Sequence, residues 1–197
     1  GCGCGIGPDE GCGCGLPSPS ECDECPDGHD DDSFESSFNA GSANFSAVRF
    51  STDDESHILD ASWFQLEDGG AFYIKIFEDN EGIPGSEIYS KVIAGGLMYG
   101  WNYRDISEDS VYVSGNYWLG TKEFSSTKPF GLDTTTISGN SYQSIDGTWS
   151  AIDGNLAYRV SIDHCPGECG GSAVEDCAGE CGGSLVEDNC GTCDADS

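Results

Sequence analysis

The sequence predicts an all-β protein: an antiparallel β-sandwich, jelly-roll-like, flanked by cysteine-rich and glycine-rich segments at both ends. Three observations predict it. The middle of the chain carries short runs of β-branched and aromatic residues separated by turn residues. No window in it has helical periodicity, and all twelve cysteines lie outside it. Many short strands without helices are typical of sandwiches.

The predicted strands follow one another at short spacing. They are expected at 46–51, 57–68, 71–79, 87–95, 102–107, 110–115, 116–124 and 156–163. Turn residues separate them at Asp68-Gly69-Gly70, Asn80-Glu81-Gly82, Gly95-Gly96, Ser114-Gly115-Asn116, Asp146-Gly147 and Asp153-Gly154. The inner faces are expected to be filled chiefly by Val48, Phe50, Ile58, Phe64, Phe72, Ile74, Ile76, Trp118, Leu132, Tyr158 and Val160.

The cysteines divide the chain into an acidic N-terminal segment (1–32), the sandwich (33–164) and a C-terminal segment of short repeats (165–197). Neither flanking segment has enough apolar residues to build a core, so each needs cross-links, a metal or a partner to hold a shape. The N-terminal segment contains GCGCG twice, and the C-terminal segment repeats with a period of about a dozen residues. Their cysteines are Cys2, Cys4, Cys12, Cys14, Cys22 and Cys25, and Cys165, Cys169, Cys177, Cys181, Cys190 and Cys193.

The cysteine spacing predicts disulfides and leaves their connectivity open. An even number of grouped cysteines indicates an oxidising compartment, and therefore an extracellular protein. The CxC pairs suit internal disulfides poorly, so each of those sulfurs is expected to bond elsewhere. Three alternatives remain: disulfides within each segment, disulfides or docking between the segments of neighbouring copies, and a thiophilic metal such as zinc.

The charge of the chain excludes several classes of partner. The formal net charge is −29, from 36 acidic and 7 basic residues. Nucleic acid binding needs clustered lysine and arginine, and an anionic membrane surface attracts the same residues. No apolar run approaches the length of a membrane-spanning helix. The acidic residues indicate either a solvated surface or Ca²⁺ binding by carboxylate oxygens.

The calcium prediction falls mainly on one loop. Glu78, Asp79, Asn80 and Glu81 place several oxygens together, and Gly82 with the Pro84-Gly85 turn would fold this loop back tightly. A second group is the acidic run that contains Asp30 and Asp32. No segment matches the EF-hand loop, and the alternative for each cluster is a solvated acidic turn.

Two aromatic residues are candidates for glycan binding. Tyr99 and Trp101 flank Gly100 in an expected loop, where a sugar ring could stack on them. The alternative is that they are core residues, as aromatic residues in strands usually are. No arrangement of the three histidines indicates a nucleophile with its base, and neither GxSxG nor HExxH occurs. We therefore expect the protein not to be an enzyme.

Two parts of the chain resemble known bacterial sequences. Residues 69–90, 100–107 and 111–162 resemble a β-sandwich domain of large secreted or surface proteins of marine bacteria. Residues 165–194 resemble the cysteine-rich DCAGxCGGSAVEDxCGxC repeats of the same kind of protein. Such proteins are mostly secreted and multi-modular, and the resemblance implies no catalytic residues. The N-terminal CGCG segment lies outside it.

These observations together predict an extracellular structural protein. The sandwich would be a rigid unit, and the cysteine-rich segments at its two ends would bind neighbouring copies head to tail, giving a filament, a surface layer or an adhesive fibre. The partner is then the chain itself, with Ca²⁺ as the expected cation. The alternative is a carbohydrate-binding or ligand-binding accessory module of a larger secreted protein.

Overall fold

The structure is a computed structural model that describes residues 28–163 together with 186–187 and 193–194. Its strands are β1 (Ser36–Phe38), β2 (Phe45–Gln65), β3 (Ala71–Asn80), β4 (Ile83–Ala94), β5 (Gly100–Asp105), β6 (Tyr112–Glu123), β7 (Phe130–Asp133), β8 (Ser141–Ile145), β9 (Thr148–Ala151), β10 (Asn155–Leu156), β11 (Tyr158–Asp163), β12 (Val186–Glu187) and β13 (Cys193–Asp194). A single 3₁₀ turn, Ser107–Asp109, is the one helical element in this part of the chain. Among the described residues, no helix is long and apolar enough to cross a membrane.

Strand β2 joins two layers of antiparallel sheet because its 21 residues change partners along their length. The first part of β2 pairs with β6 and β8, and the second part pairs with β5 and β11. The first layer therefore has the order β4-β3-β6-β2-β8-β9. The second layer has the order β5-β2-β11, and β10, β7 and β1 continue it. The predicted all-β antiparallel sandwich is confirmed.

A bulge bends β2 where it passes from one layer to the other. Thr52 pairs with Gly115 and Ser56 with Val113, so residues 53–55 lie opposite a single residue of β6. Extra residues on one strand bend it and increase its local twist. The sequence predicts two strands here, at 46–51 and 57–68, and a loop of acidic residues between them. That prediction is wrong because the backbone continues through the bulge as one strand.

The main core lies between the two layers and takes alternate residues from each strand. Val48, Phe50 and Ile74 come from the first layer, and Ile58, Phe130 and Tyr158 come from the second, all nearly inaccessible to water. Three buried hydroxyl groups form a hydrogen-bonded cluster within the core. Ser46 Oγ lies 2.9 Å from Thr121 Oγ1 and 2.8 Å from Tyr158 Oη, and the last two atoms are 3.1 Å apart. Each hydroxyl is therefore hydrogen-bonded, as burial requires.

A smaller aromatic cluster covers the opposite side of the first layer. Its buried members are Ala47, Phe77 and Trp118, and the side chains packed against them are Phe45, Tyr142 and Trp149. Trp118 is thus buried as predicted, but on the far side of its sheet from the main core. Its indole Nε1 donates a hydrogen bond to Asp79 Oδ1 at 2.8 Å.

Two predictions from the sequence are wrong: the inward position of Phe64 and the turn at Ser114-Gly115-Asn116. Phe64 is half-buried on the outside of the second layer, and its neighbour Trp63 takes the inner position at 3% exposure. Ser114-Gly115-Asn116 does not reverse the chain but lies inside β6, opposite the bulge of β2. The hairpin turns at Glu81-Gly82 and Asp146-Gly147 are confirmed. Both central residues of each have positive φ, as type I′ turns require.

Candidate functional site

Most of the candidate functional residues lie on the side of the second layer that faces away from the core. We call this side the outer face. Cross-strand pairing places Phe64 beside Trp101, and Ser62 beside both Tyr103 and Arg159. The next position along pairs Asp60 with both Asp105 and Ser161. Side chains two residues apart on a strand share a face. The outer face therefore consists of Asp60, Ser62, Phe64, Trp101, Tyr103, Asp105, Arg159 and Ser161.

An N-terminal arm, residues 28–38, runs against the outer face before its last residues form β1, and Arg159 holds it there. The guanidinium Nε lies 3.2 Å from Asp30 Oδ2, and Nη2 lies 2.5 Å from both Asp30 Oδ1 and Asp32 Oδ1. The side chain of Asp30 is fully buried, and that of Arg159 is 11% exposed. Burial lowers the pKa of Arg159, but the two carboxylates outweigh burial and raise it overall. The guanidinium of Arg159 therefore keeps its positive charge at physiological pH.

An aromatic cluster seats the arm beside this ion pair. The Phe34 ring of the arm lies 4.5 Å from the Phe64 ring and 6.0 Å from the Trp101 ring, measured between centroids. Phe64 and Trp101 meet edge to face at 5.6 Å. The Arg159 guanidinium lies 4.1 Å from the Trp101 centroid, within the range of a cation–π contact. One residue, Arg159, thus links the acidic residues of the arm to the aromatic cluster.

Polar contacts fix the beginning of the arm. His29 Nε2 lies 2.7 Å from the Arg49 carbonyl oxygen, and the His29 ring stacks on Phe50 at 5.3 Å. Asn155 Nδ2 donates to the His29 carbonyl oxygen at 2.8 Å. Asn155 also contacts Asp133, a residue that the structure buries completely. Burial raises the pKa of Asp133. Hydrogen bonds from Thr136 and Thr135 outweigh burial and hold this pKa well below its usual range.

The absence of a side chain at Gly131 makes room for Phe34. A Cβ atom at Gly131 would lie 2.8 Å from Phe34 Cγ and 3.0 Å from Cδ1, closer than van der Waals contact allows. We therefore expect Gly131→Ala to push the Phe34 ring out of its seat and to lower the free energy of unfolding by about 1–2 kcal/mol. Hydrogen exchange should speed up in 33–38 more than in β3. Unchanged exchange in the arm would contradict this role for Gly131.

Three aromatic residues form a row along the exposed edge of the outer face. Tyr99, Trp101 and Tyr103 alternate along β5 and the residue before it, and the two tyrosines are 64% and 66% exposed. Tyr99 meets Phe64 edge to face at 5.7 Å, and its backbone N–H donates to Asp68 Oδ1 at 2.6 Å. Trp101, predicted as half of an exposed pair with Tyr99, is only half-exposed because the arm and Arg159 cover part of it.

The predicted calcium residues lie at two separate places. Glu81 is a central residue of the tight β3–β4 turn, with Glu78 and Asn80 exposed beside it. Asp79 accepts hydrogen bonds from Trp118 Nε1 and from the Gly82 N–H at 3.0 Å. Arg49 Nε also lies 3.4 Å from Asp79 Oδ1. The carboxylate of Asp79 therefore already accepts two hydrogen bonds and forms an ion pair with Arg49.

Asp30 and Asp32 form the second predicted calcium group, and a cation there would have to displace Arg159. Among the described residues, no three histidine, cysteine, aspartate or glutamate side chains come together as a metal site would need. Calcium binding stays a prediction. The twelve predicted disulfide cysteines lie outside the described residues, apart from the backbone of Cys193, which pairs with Glu187 between β12 and β13.

Reasoning from the sequence missed three residues of this site: Arg159, Phe34 and Tyr103. Tyr103 had a usable signal, because 99, 101 and 103 share the period of two that puts strand residues on one face. For Arg159 the sequence pattern was misleading, because a lone arginine at an outward position of a strand indicates an exposed side chain and not a buried ion pair. Its partner Asp30 lies 129 residues away along the chain, so no local pattern joins them.

Comparisons with known proteins add little to this geometry. No protein-family model matches the chain, and no curated protein matches it. Among solved structures it is similar to "the cysteine protease and lectin-like domains of Cwp84, a surface layer associated protein of Clostridium difficile", with a TM-score of 0.47 and 12% sequence identity. The match covers 61% of this chain and 32% of that one, so this chain spans about a third of its length. A likeness at this level carries no argument about function.

Proposed function

We propose that this chain is a non-enzymatic extracellular structural protein, a β-sandwich subunit that joins copies of itself into an assembly through its cysteine-rich segments. The observation that carries the proposal is the buried ion pair of Arg159 with Asp30. It locks the end of the N-terminal segment onto the last strand of the sandwich. The segment that would form the cross-links is thus attached to the rigid unit by an ordered joint.

Both cysteine-rich segments join the sandwich on the same strand. A Cβ atom at Gly28 would lie 2.8 Å from Arg159 Cγ, so the arm enters beside that residue. Strand β11 continues from Arg159 to Asp163, two residues before the C-terminal segment begins at Cys165. Four residues of strand span about 13 Å. That the two segments bind neighbouring copies from the two ends of the sandwich stays a prediction. Gly28 and Asp163, the described residues nearest to the two segments, lie respectively beside β11 and at its end.

The charge distribution supports a requirement for cations. All seven basic residues lie between residues 49 and 159, and neither cysteine-rich segment has any. Five of the seven are already in ion pairs within the sandwich: Arg49, Lys75, Lys91, Lys128 and Arg159. Segments that carry only negative charge repel one another and find few free cationic side chains on a neighbour. Close contact between copies should therefore need a divalent cation or high salt.

The test is electrophoresis of the full-length oxidised chain after thiol blocking, with and without reductant, beside light scattering with Ca²⁺ or a chelator. We expect either a ladder of multiples of 20.7 kDa that collapses on reduction, or large particles that shrink on chelation at low salt. Reduced and alkylated chain is the control and should stay monomeric. A monomer in every condition would overturn the proposal. Particles that survive both chelation and low salt would overturn its cation requirement alone.

A further inference from the structure

We infer that the aromatic row on the outer face, Tyr99, Trp101 and Tyr103, binds a chain of uncharged sugar residues. This binding surface goes beyond the proposed assembly function and does not depend on it. The inference rests on the arrangement of the row, on the polar side chains beside it and on the charge around it.

The row has the dimensions and exposure of a stacking surface. Alternate residues of an antiparallel strand lie about 7 Å apart, which is the spacing of Trp101 and Tyr103 along β5, and Tyr99 extends the row beyond the start of that strand. Tyr99 and Tyr103 present most of their rings to solvent. Trp101 packs against Phe34, Phe64 and Arg159, whereas Tyr99 and Tyr103 leave more ring surface free than contact with the sandwich requires. A polymer with repeated apolar ring faces fits such a row better than a small ligand does.

The middle and one end of the row are held in place before a ligand arrives. Arg159 and Phe34 hold the Trp101 ring, and Phe64 supports Tyr99 from the side. The loop before β5 is tied by Asn102, whose Oδ1 accepts from the Met98 N–H at 3.0 Å and whose Nδ2 donates to the Met98 carbonyl oxygen at 2.8 Å. Side chains that are already ordered lose little conformational entropy on binding.

Polar groups lie beside the row at the same end of the sheet. Asp60 and Asp105 face each other across β2 and β5, and Ser62 and Ser161 lie next to them. Burial is the main reason that the pKa of Asp60 is raised, and the charge of Asp105 raises it further. Carboxylates accept hydrogen bonds from sugar hydroxyls, and serine hydroxyls both donate to them and accept from them, as polar groups beside an apolar contact surface do in ligand sites.

Charge selects among sugar polymers. Two carboxylates border the row, and the chain carries a net charge of −29. A polymer with carboxylate or sulfate groups would be repelled at both short and long range. The expected occupant is therefore a neutral polysaccharide, and Arg104 beside the row is too little cationic charge to reverse this.

The test is affinity electrophoresis of monomeric full-length chain, isolated by size, in gels containing soluble neutral glucans, mannans or xylans. Alginate and a sulfated galactan are the charged comparisons. We expect retardation by at least one neutral polymer and by neither charged one. Tyr99→Ala and Tyr103→Ala should each weaken retardation at least fivefold. Tyr112→Ala is the matched control, because Tyr112 is a partly exposed tyrosine that stacks on His57 outside the outer face.

Each outcome decides the inference. Neither tyrosine is buried, so both variants should fold, and unchanged unfolding curves would show that lost binding comes from the surface. No retardation by any neutral polymer overturns the inference, as does an equal loss in Tyr112→Ala. Retention by the charged polymers alone also overturns it. Because the assay uses monomer, a failed assembly experiment leaves this result unaffected, and the reverse holds as well.

Discussion

Replacing Arg159 by methionine is expected to lower the free energy of unfolding by about 3–5 kcal/mol, the usual cost of removing one member of a buried ion pair. The reason is that Asp30 and Asp32 would be left as uncompensated charges against the outer face, with the Asp30 side chain out of contact with water. The Trp101 ring would also lose its cation–π contact. Urea unfolding of the full-length chain, followed by tryptophan fluorescence, measures the change.

Lys128→Met is the control for that variant. Lys128 Nζ lies 2.8 Å from Glu67 Oε2, but both side chains are exposed, and such pairs contribute about 0–1 kcal/mol. Adding Asp30→Asn and Asp32→Asn to the Arg159 variant should recover part of the lost stability, because it removes the buried charges. If Arg159→Met costs no more than Lys128→Met, the arm is not held by this ion pair. The N-terminal segment would then lack the ordered joint to the sandwich that the proposed assembly needs.

The same ion pair shows what the sequence could and could not predict. Alternation along β3, β6 and β11 identifies strands and most core residues, because the period of two is set by backbone geometry and is visible locally. The aromatic candidates Tyr99 and Trp101 also emerged from local composition. What joins them to Asp30 is the pairing of β2 with β11 and with β5, which no local pattern specifies. The site was predicted in pieces, and its connection through Arg159 was not.

The wrong predictions have a similar physical cause. Trp63 and Phe64 are adjacent and equally apolar, so composition cannot choose which one points inward. The choice is made by register against Asn102 and Trp101 of β5. Likewise, an acidic run inside β2 looks like a loop until the strand beside it is known. Strand boundaries near a bulge depend on the partner strand, and the partner lies far away in the chain.

Glu123 lies where the arm passes into β2, and it is 1% exposed at the end of β6. Its Oε1 accepts a hydrogen bond from the Ala40 N–H at 2.7 Å, and its Oε2 accepts one from the Gly41 N–H at 3.0 Å. Burial raises the pKa of Glu123 to about 7, although these two hydrogen bonds oppose the rise. The carboxyl therefore changes charge near neutral pH.

This shift makes the stability of the sandwich depend on pH between about 4.5 and 7. The pKa of Glu123 is higher in the folded chain than the 4.5 of an unperturbed glutamate, so the folded state binds the proton more tightly. Its contribution to stability is fully present below about pH 4.5 and is lost as the pH rises to about 7. A shift of this size corresponds to about 3 kcal/mol, by the conversion of pKa differences into free energy.

Glu123→Gln is expected to remove this pH dependence, because the amide cannot ionise and its oxygen still accepts from one of the two N–H groups. The measurement is the free energy of unfolding of both chains from pH 4.5 to 8 at fixed ionic strength. The difference between variant and wild type should move by about 3 kcal/mol in favour of the variant as the pH rises. The comparison depends on how the free energy of unfolding changes with pH, so a constant cost of the substitution does not affect it.

Equal pH dependence in the two chains would mean that Glu123 keeps the same charge throughout this range. The turn at Ala40 and Gly41 would then be held by a permanent carboxylate, and the link between the arm and β2 would not respond to pH.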